Sequence, residues 1–170
     1  MAYGRMRWNR NMLENLQSFT ETLPVAVQWV GIILISAIPF VESYLGAFIG
    51  VIAGIHPVVA LAAAIIGNVV SMLIFVLSAH GIRTAATKNN APKELSPRKQ
   101  KLKERFDKFG IAGVSLLGQA VLPSQITSAL IVSFGASKNK VIFWQIISII
   151  LWGVAFTLLA LGGVQVVGRF

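Results

Sequence analysis

Residues 36–50 read SAIPFVESYLGAFIG, and the reading of this stretch decides the fold. It places one acid, Glu42, three residues after Pro39 in an otherwise apolar block, then Gly46 and Gly50, the first members of a fourfold spacing completed by Gly54. Working outward from Glu42, no other Asp, Glu, Lys or Arg occurs between Thr22 and Gly81, and only His56 and His80 add titratable groups. Residues 109–137 and 141–168 carry no charge at all. With 55% hydrophobic and 12% charged residues and a mean hydropathy of +0.73 over 170 residues, the chain lacks the charged coat of a soluble protein. Three blocks are suited to lipid contact, and the expected class is an all-α integral membrane protein.

Length then decides how the blocks are used. Residues 24–55 are too many for one helix across the bilayer, because an unbroken helix of that run would reach about 48 Å against a hydrocarbon core of about 30 Å. They are also too few for two full spans, which need about 40 residues. Pro39 and Glu42 interrupt the run, so it reads as a broken or re-entrant hairpin. Residues 57–79 suffice to cross once, with Pro57 in the first helical turn, where its missing N–H has no partner in any case.

After Gly110 the pattern returns. The run IAGVSLLGQAVLPSQITSALIVSFG, residues 111–135, is apolar with a break at Pro123; ASKNK, residues 136–140, is a polar turn; residues 141–168 form a second long apolar run. Paired interrupted segments are the sequence signature of an inverted-repeat transporter with its site near the midplane. The expected architecture is two inverted-repeat-like halves, each a broken or re-entrant helical hairpin plus a full transmembrane helix, over residues 24–80 and 109–170. Residues 1–23 form an N-terminal amphipathic segment and residues 81–108 a basic connector.

In the N-terminal segment Met12, Leu16, Phe19 and Leu23 recur at helical spacing. The segment either lies on the membrane surface or packs on the rest of the chain, and Pro24 closes it. In the connector, residues 86–97 read as loop, and Ser96 with Pro97 reads as the start of a short amphipathic helix. Leu102, Phe106 and Phe109 then share a face, Glu104 can pair with Lys108, and Gly110 ends the helix.

The net charge of +9 is concentrated in this connector: Arg83, Lys88, Lys93, Arg98, Lys99, Lys101, Lys103, Arg105 and Lys108 lie there, and Arg5, Arg7 and Arg10 near the N-terminus. That distribution is expected of cytoplasmic segments flanking spans rather than of a nucleic-acid surface. Residues 81–108 are therefore placed in the cytoplasm of a plasma-membrane protein, with Arg98, Lys99, Lys101, Lys103 and Arg105 as contacts for anionic lipid. Lys138 and Lys140 on the cytoplasmic side suit a second hairpin entering from that side, but an inverted first hairpin would then open outward and carry the N-terminal arginines with it, so charge does not choose the side from which each enters. The absence of cysteine excludes a disulfide scaffold and a thiol catalyst.

A carboxyl at membrane depth costs a few kcal/mol by insertion scales, so it normally faces a bundle interior or a water-filled cavity and marks a pathway. Glu42 is the first functional candidate, suited to binding a proton or substrate, with Ser43 beside it. Gly46, Gly50 and Gly54 are expected to permit close helix approach. Asn68, next to Gly67, either bonds Glu42 and the backbone near Pro39 or ties two helices together. In the second half Gln119, Pro123, Ser124, Gln125, Thr127 and Ser128 supply neutral donors and acceptors around the break, for the loosened backbone or for a substrate. Pro39 and Pro123 are the helix breaks. No phosphate-cradling loop, paired acid and base, or metal-ligand cluster appears, so neither an enzyme nor a cofactor or metal site is expected.

The order of these residues resembles the small multidrug export protein family, a branch of the wider DedA-like membrane proteins. The resemblance is carried by Glu42 with Gly46, Gly50, Gly54 and Pro57, then Gly67 with Asn68, and in the second half by DKFG, LPSQ and Gly135. AIPFVES, GVSLLGQ and LPSQITSA are similar to actinobacterial proteins of the small multidrug efflux type. The resemblance spans roughly residues 20 to 165 and implies two re-entrant hairpins meeting in a bacterial membrane. It also implies a transport activity, with Glu42 in the position of a glutamate that some relatives use in moving polyprenyl phosphate lipids. Those relatives use arginines in the second hairpin, whereas this chain has none between Lys108 and Lys138.

Three functions follow as expectations. The first is proton-coupled or facilitative export of amphiphilic compounds. The second is a flippase for a polyprenyl phosphate or other anionic lipid, and the third a membrane scaffold whose small-residue faces bind a partner. Four apolar elements are few to enclose a path alone, which points to a homodimer.

Overall fold

The computed structural model describes residues 12, 14–24, 27–87, 100 and 110–167, with side chains for all of these except 87 and 164–167. Every regular element among them is helical: α1 (residues 14–22), α2 (Gln28–Ser36), α3 (Glu42–Ile52), α4 (Pro57–Thr87), α5 (residues 110–118), α6 (Ser124–Ser133) and α7 (Lys138–Val167). The α4 and α7 helices are long and apolar enough to cross a membrane, over Pro57–Ala86 and Lys138–Gly163.

The same order of elements occurs twice. A short helix is followed by a five-residue break (37–41, then 119–123), a second short helix, a glycine turn and a long helix. Pro39 lies in the first break, where its ring and missing N–H stop α2 from continuing. Phe40 (φ 75°) and Glu42 (φ 55°) adopt left-handed conformations there, and the chain reverses. The α3 helix then runs back along α2: Gly46 lies against Ser36, and Gly50 against Ile32 and Ala60. Pro123 is buried and stands immediately before α6 as its N-cap.

Both second short helices end in the same way. The Ile55 N–H donates to the Gly50 carbonyl at 2.9 Å and Gly54 N–H to Val51 at 3.1 Å, while Ala136 donates to Ile131 at 3.2 Å and Gly135 to Val132 at 3.0 Å. These paired bonds are Schellman caps, which need a left-handed residue after the helix. Gly54 (φ 82°) and Gly135 (φ 109°) supply it. Gly54 thus departs from the packing role expected of it. A β-carbon there would meet nothing within 4 Å, so Gly46 and Gly50 form the close helix contact while Gly54 turns the chain.

The chain divides into two compact units, Met1–Asn68 with Leu151–Phe170, and Val69–Ile150. Their boundary falls within α4 and α7, not in the polar connector. In the first unit Ile32, Ile35, Ala47, Ile49, Ala63 and Ala64 form a core, with Leu16 of α1 packed against it. Within the N-terminal segment, Leu16 thus packs on the hairpin. Tyr44, Trp152 and Phe156 form an aromatic cluster with ring centroids 5.0–6.4 Å apart, joining α3 to α7 within this unit.

The long helices carry their polarity inward. On α4 the buried positions are Ala60, Ala63, Ala64, Gly67, Asn68, Ser71, Met72 and Val76, whereas Val58, Ile66, Val70, Ile74, Leu77 and Ile82 are exposed. On α7 Gln145, Ser148 and Thr157 are buried, and Phe143, Leu151, Val154, Leu158 and Leu159 are exposed. A helix at a water interface shows the reverse pattern. Both elements also extend beyond the bounds read from sequence. The α4 helix continues to Thr87, and α7 begins at Lys138, inside the segment expected to turn.

Candidate functional site

In the first unit Glu42 is fully buried and is the first residue of α3. Val41 occupies the cap position and brings no side-chain capping bond, and an acid in the first turn is favoured by the helix dipole. Its left-handed backbone costs a non-glycine residue about 1–2 kcal/mol, a kind of strain that persists only where the surroundings enforce it and that concentrates at functional sites. Ser43, also fully buried, faces the backbone of α7: a β-carbon on Gly153 would come 3.5 Å from the Ser43 Oγ. Tyr44 anchors the same turn, its hydroxyl donating to the Phe40 carbonyl at 3.3 Å.

Asn68 is fully buried on α4, next to Gly67, which lies directly beneath the Ile33 carbonyl. Ser36, missed in the sequence reading, is a further buried polar residue at this break. Its Oγ lies over Gly46 and has no hydrogen-bond partner among the described residues.

In the second unit Gln119, Ser124, Gln125, Thr127 and Ser128 are all buried, as is Pro123. The Ser128 hydroxyl donates to the Gln125 carbonyl at 3.1 Å, and Thr127 packs its methyl 3.0 Å from where a Gly118 β-carbon would stand. The Thr127 contact brings the end of α5 against the start of α6. Ser115, Gln145 and Ser148 are also fully buried. The Ser148 hydroxyl donates to Gln119 Oε1 at 2.7 Å, tying the break to α7. Sequence reasoning missed these three, although Gln145 and Ser148 are polar residues one helical turn apart within a long apolar run, which is the signal that could have found them.

The candidate residues thus fall into two sets of different character. One unit holds a buried carboxyl with Ser36, Ser43 and Asn68, while the other holds buried amides and hydroxyls. The anionic-lipid candidates Arg98, Lys99, Lys101, Lys103 and Arg105, and the amphipathic helix expected around them, lie outside the described residues.

Among the described residues these observations define an all-helical fold with two helices long and apolar enough to cross a membrane. Comparison with protein-family models, curated proteins and solved structures returned no match, so the family resemblance rests on the residues that carry it.

Proposed function

We propose that the protein is a small integral membrane transporter of the DedA-like type, exporting amphiphilic compounds with Glu42 as the proton- or substrate-binding carboxyl. The observation that carries this reading is the complete burial of Glu42 at a strained helix break. Carboxyls at such depth mark pathways because their burial is otherwise costly.

The outward aliphatic faces of α4 and α7 support a bilayer surround. With α2 at 9 residues and α3 at 11, each reaches only about 14–17 Å at about 1.5 Å per residue, against a core of about 30 Å. The reading therefore makes this pair a re-entrant hairpin, entering and leaving on one side, with its break at membrane depth. The α5–α6 pair is its inverted counterpart, and α4 and α7 are the full spans.

The test is reconstitution in liposomes, comparing wild type with Glu42→Gln. The expected result is proton movement driven by a cationic amphiphile gradient and lost in the variant. Scrambling of labelled polyprenyl phosphate without proton exchange would move the assignment to a lipid flippase. Neither activity in a folded sample would leave the scaffold.

A further inference from the structure

Positive charge is unevenly spread along the chain. Eleven of the fifteen bases and three of the six acids lie in the unit Val69–Ile150, which therefore carries eight of the nine net positive charges. Its described residues include three bases, Arg83, Lys138 and Lys140, and no Asp or Glu. Arg83 stands near the end of α4, whereas Lys138 and Lys140 open α7. The fold brings these two places together. A β-carbon on Gly135 would come 3.2 Å from Arg83 Nη2 and 3.6 Å from its Cζ, so the guanidinium lies on the glycine turn that leads into α7. Lys138 follows that glycine by three residues. The turn after α6 and the start of the polar connector are thus at one end of the unit, a relationship that charge alone left open. Apolar side chains face outward beside these bases: Ile82 is 70% exposed and Phe143 59%, and Trp144 makes an edge-to-face contact with Phe143 at a centroid distance of 5.6 Å.

We propose that the end of α4 and the start of α7 form a docking surface for anionic lipid, with Arg83, Lys138 and Lys140 toward the phosphates and Ile82, Phe143 and Trp144 toward the acyl chains. Charge complementarity selects an anion, because the three acids of the unit can offset at most three of its eleven bases. Position selects a lipid. The bases crown two helices long and apolar enough to cross a membrane, and exposed apolar side chains begin within one helical turn of them. A free anion would meet the charges and leave Ile82 and Phe143 in water, whereas a lipid meets both. Arginine and lysine suit such a boundary, since their stems lie along apolar surface while their heads reach the phosphate layer. Trp144, one turn inward from Lys140, is of the residue type enriched at that level. The bias of basic residues toward the cytoplasm makes this the cytoplasmic end. These three residues are separate from the connector bases expected to touch lipid. The proposal rests on the reading of α4 and α7 as spans and is independent of the role of Glu42.

The experiment uses the full chain in dodecyl maltoside micelles, titrated separately with phosphatidylglycerol, phosphatidylcholine and inorganic phosphate, with bound molecules counted by native mass spectrometry. Wild type is compared with Arg83→Gln/Lys138→Gln/Lys140→Gln and with Arg5→Gln/Arg7→Gln/Arg10→Gln, which removes the same charge elsewhere. If loss of Arg83 prevents folding, Lys138→Gln/Lys140→Gln against Arg7→Gln/Arg10→Gln takes its place. The expected result is a preference for phosphatidylglycerol over phosphatidylcholine that falls about fivefold for each charge removed at this surface, and far less in the N-terminal variant. No preference in wild type, no fall in the surface variant, or an equal or larger fall in the N-terminal variant overturns the proposal. So does inorganic phosphate binding as tightly as phosphatidylglycerol. The spans are checked apart from the lipid, by retention of wild type in phosphatidylcholine vesicles through an alkaline carbonate wash. Retention without anionic preference sinks the lipid surface alone, whereas release sinks the spans with it.

Discussion

Gly67 and Ile33 meet backbone to backbone: a β-carbon on Gly67 would overlap the Ile33 carbonyl oxygen and come 2.8 Å from its carbon. This contact holds α2 of the hairpin against α4, one residue before the buried Asn68. A clash with a flexible side-chain tip relaxes by rotation, whereas a clash with main chain moves a whole helix.

Gly67→Ala is therefore expected to destabilise the protein by at least 3 kcal/mol, at or beyond the upper end of about 1–3 kcal/mol found for overpacked cores. Gly81→Ala is the control. A β-carbon there meets nothing within 4 Å, and helix propensity favours alanine by about 1 kcal/mol. Thermal melts in detergent should move in opposite directions for the two variants, and equal melting temperatures would refute the close contact.

Gly54→Ala and Gly135→Ala should each cost about 1–2 kcal/mol, because both positions need a left-handed backbone. Gly135→Ala is expected to be the worse, since its φ of 109° lies further than the 82° of Gly54 from the left-handed well at about 57° that an alanine can enter. The ranking can be read from denaturation midpoints.

The Ser148–Gln119 bond is buried and 2.7 Å long. Removing one partner leaves the other unsatisfied at a cost of about 1–3 kcal/mol. Ser148→Ala and Gln119→Leu together should cost less than the sum of the single variants, with a coupling of about 1 kcal/mol in a double-mutant cycle. Strict additivity would mean that the bond is not formed in the protein.

If the α2–α3 pair is re-entrant, its two ends lie on one side. Single cysteines at Gln28 and His56, in a chain without native cysteine, should react with a membrane-impermeant maleimide from the same side of sealed vesicles. Labelling from opposite sides would make the pair a bent span.

Much of this architecture was legible because hydropathy and helix breakers act locally. Pro39 and Pro123 interrupt helices wherever the chain folds, and the charge-free runs are long enough to become α4 and α7. Glu42 stood out because it was the only acid in its block. Burial was harder to read. Gln145 and Ser148 carried a signal in their shared face within an apolar run, whereas for Ser115 and Ser36 nothing in their neighbours distinguishes an inward from an outward face when apolar side chains occupy both.

The amino-acid sequence by itself determined helix, break and turn order, since proline geometry and the length of apolar runs need no partner to act. Only the tertiary structure decided what each face meets. Gly46, Gly50 and Gly54 share a spacing, yet two pack against neighbouring helices and the third, left-handed, ends α3. Contact between distant segments likewise sorts the polar residues into a carboxyl-bearing unit and a neutral one, with the boundary inside α4 and α7. Such contacts depend on where the chain returns in space, which local spacing does not encode.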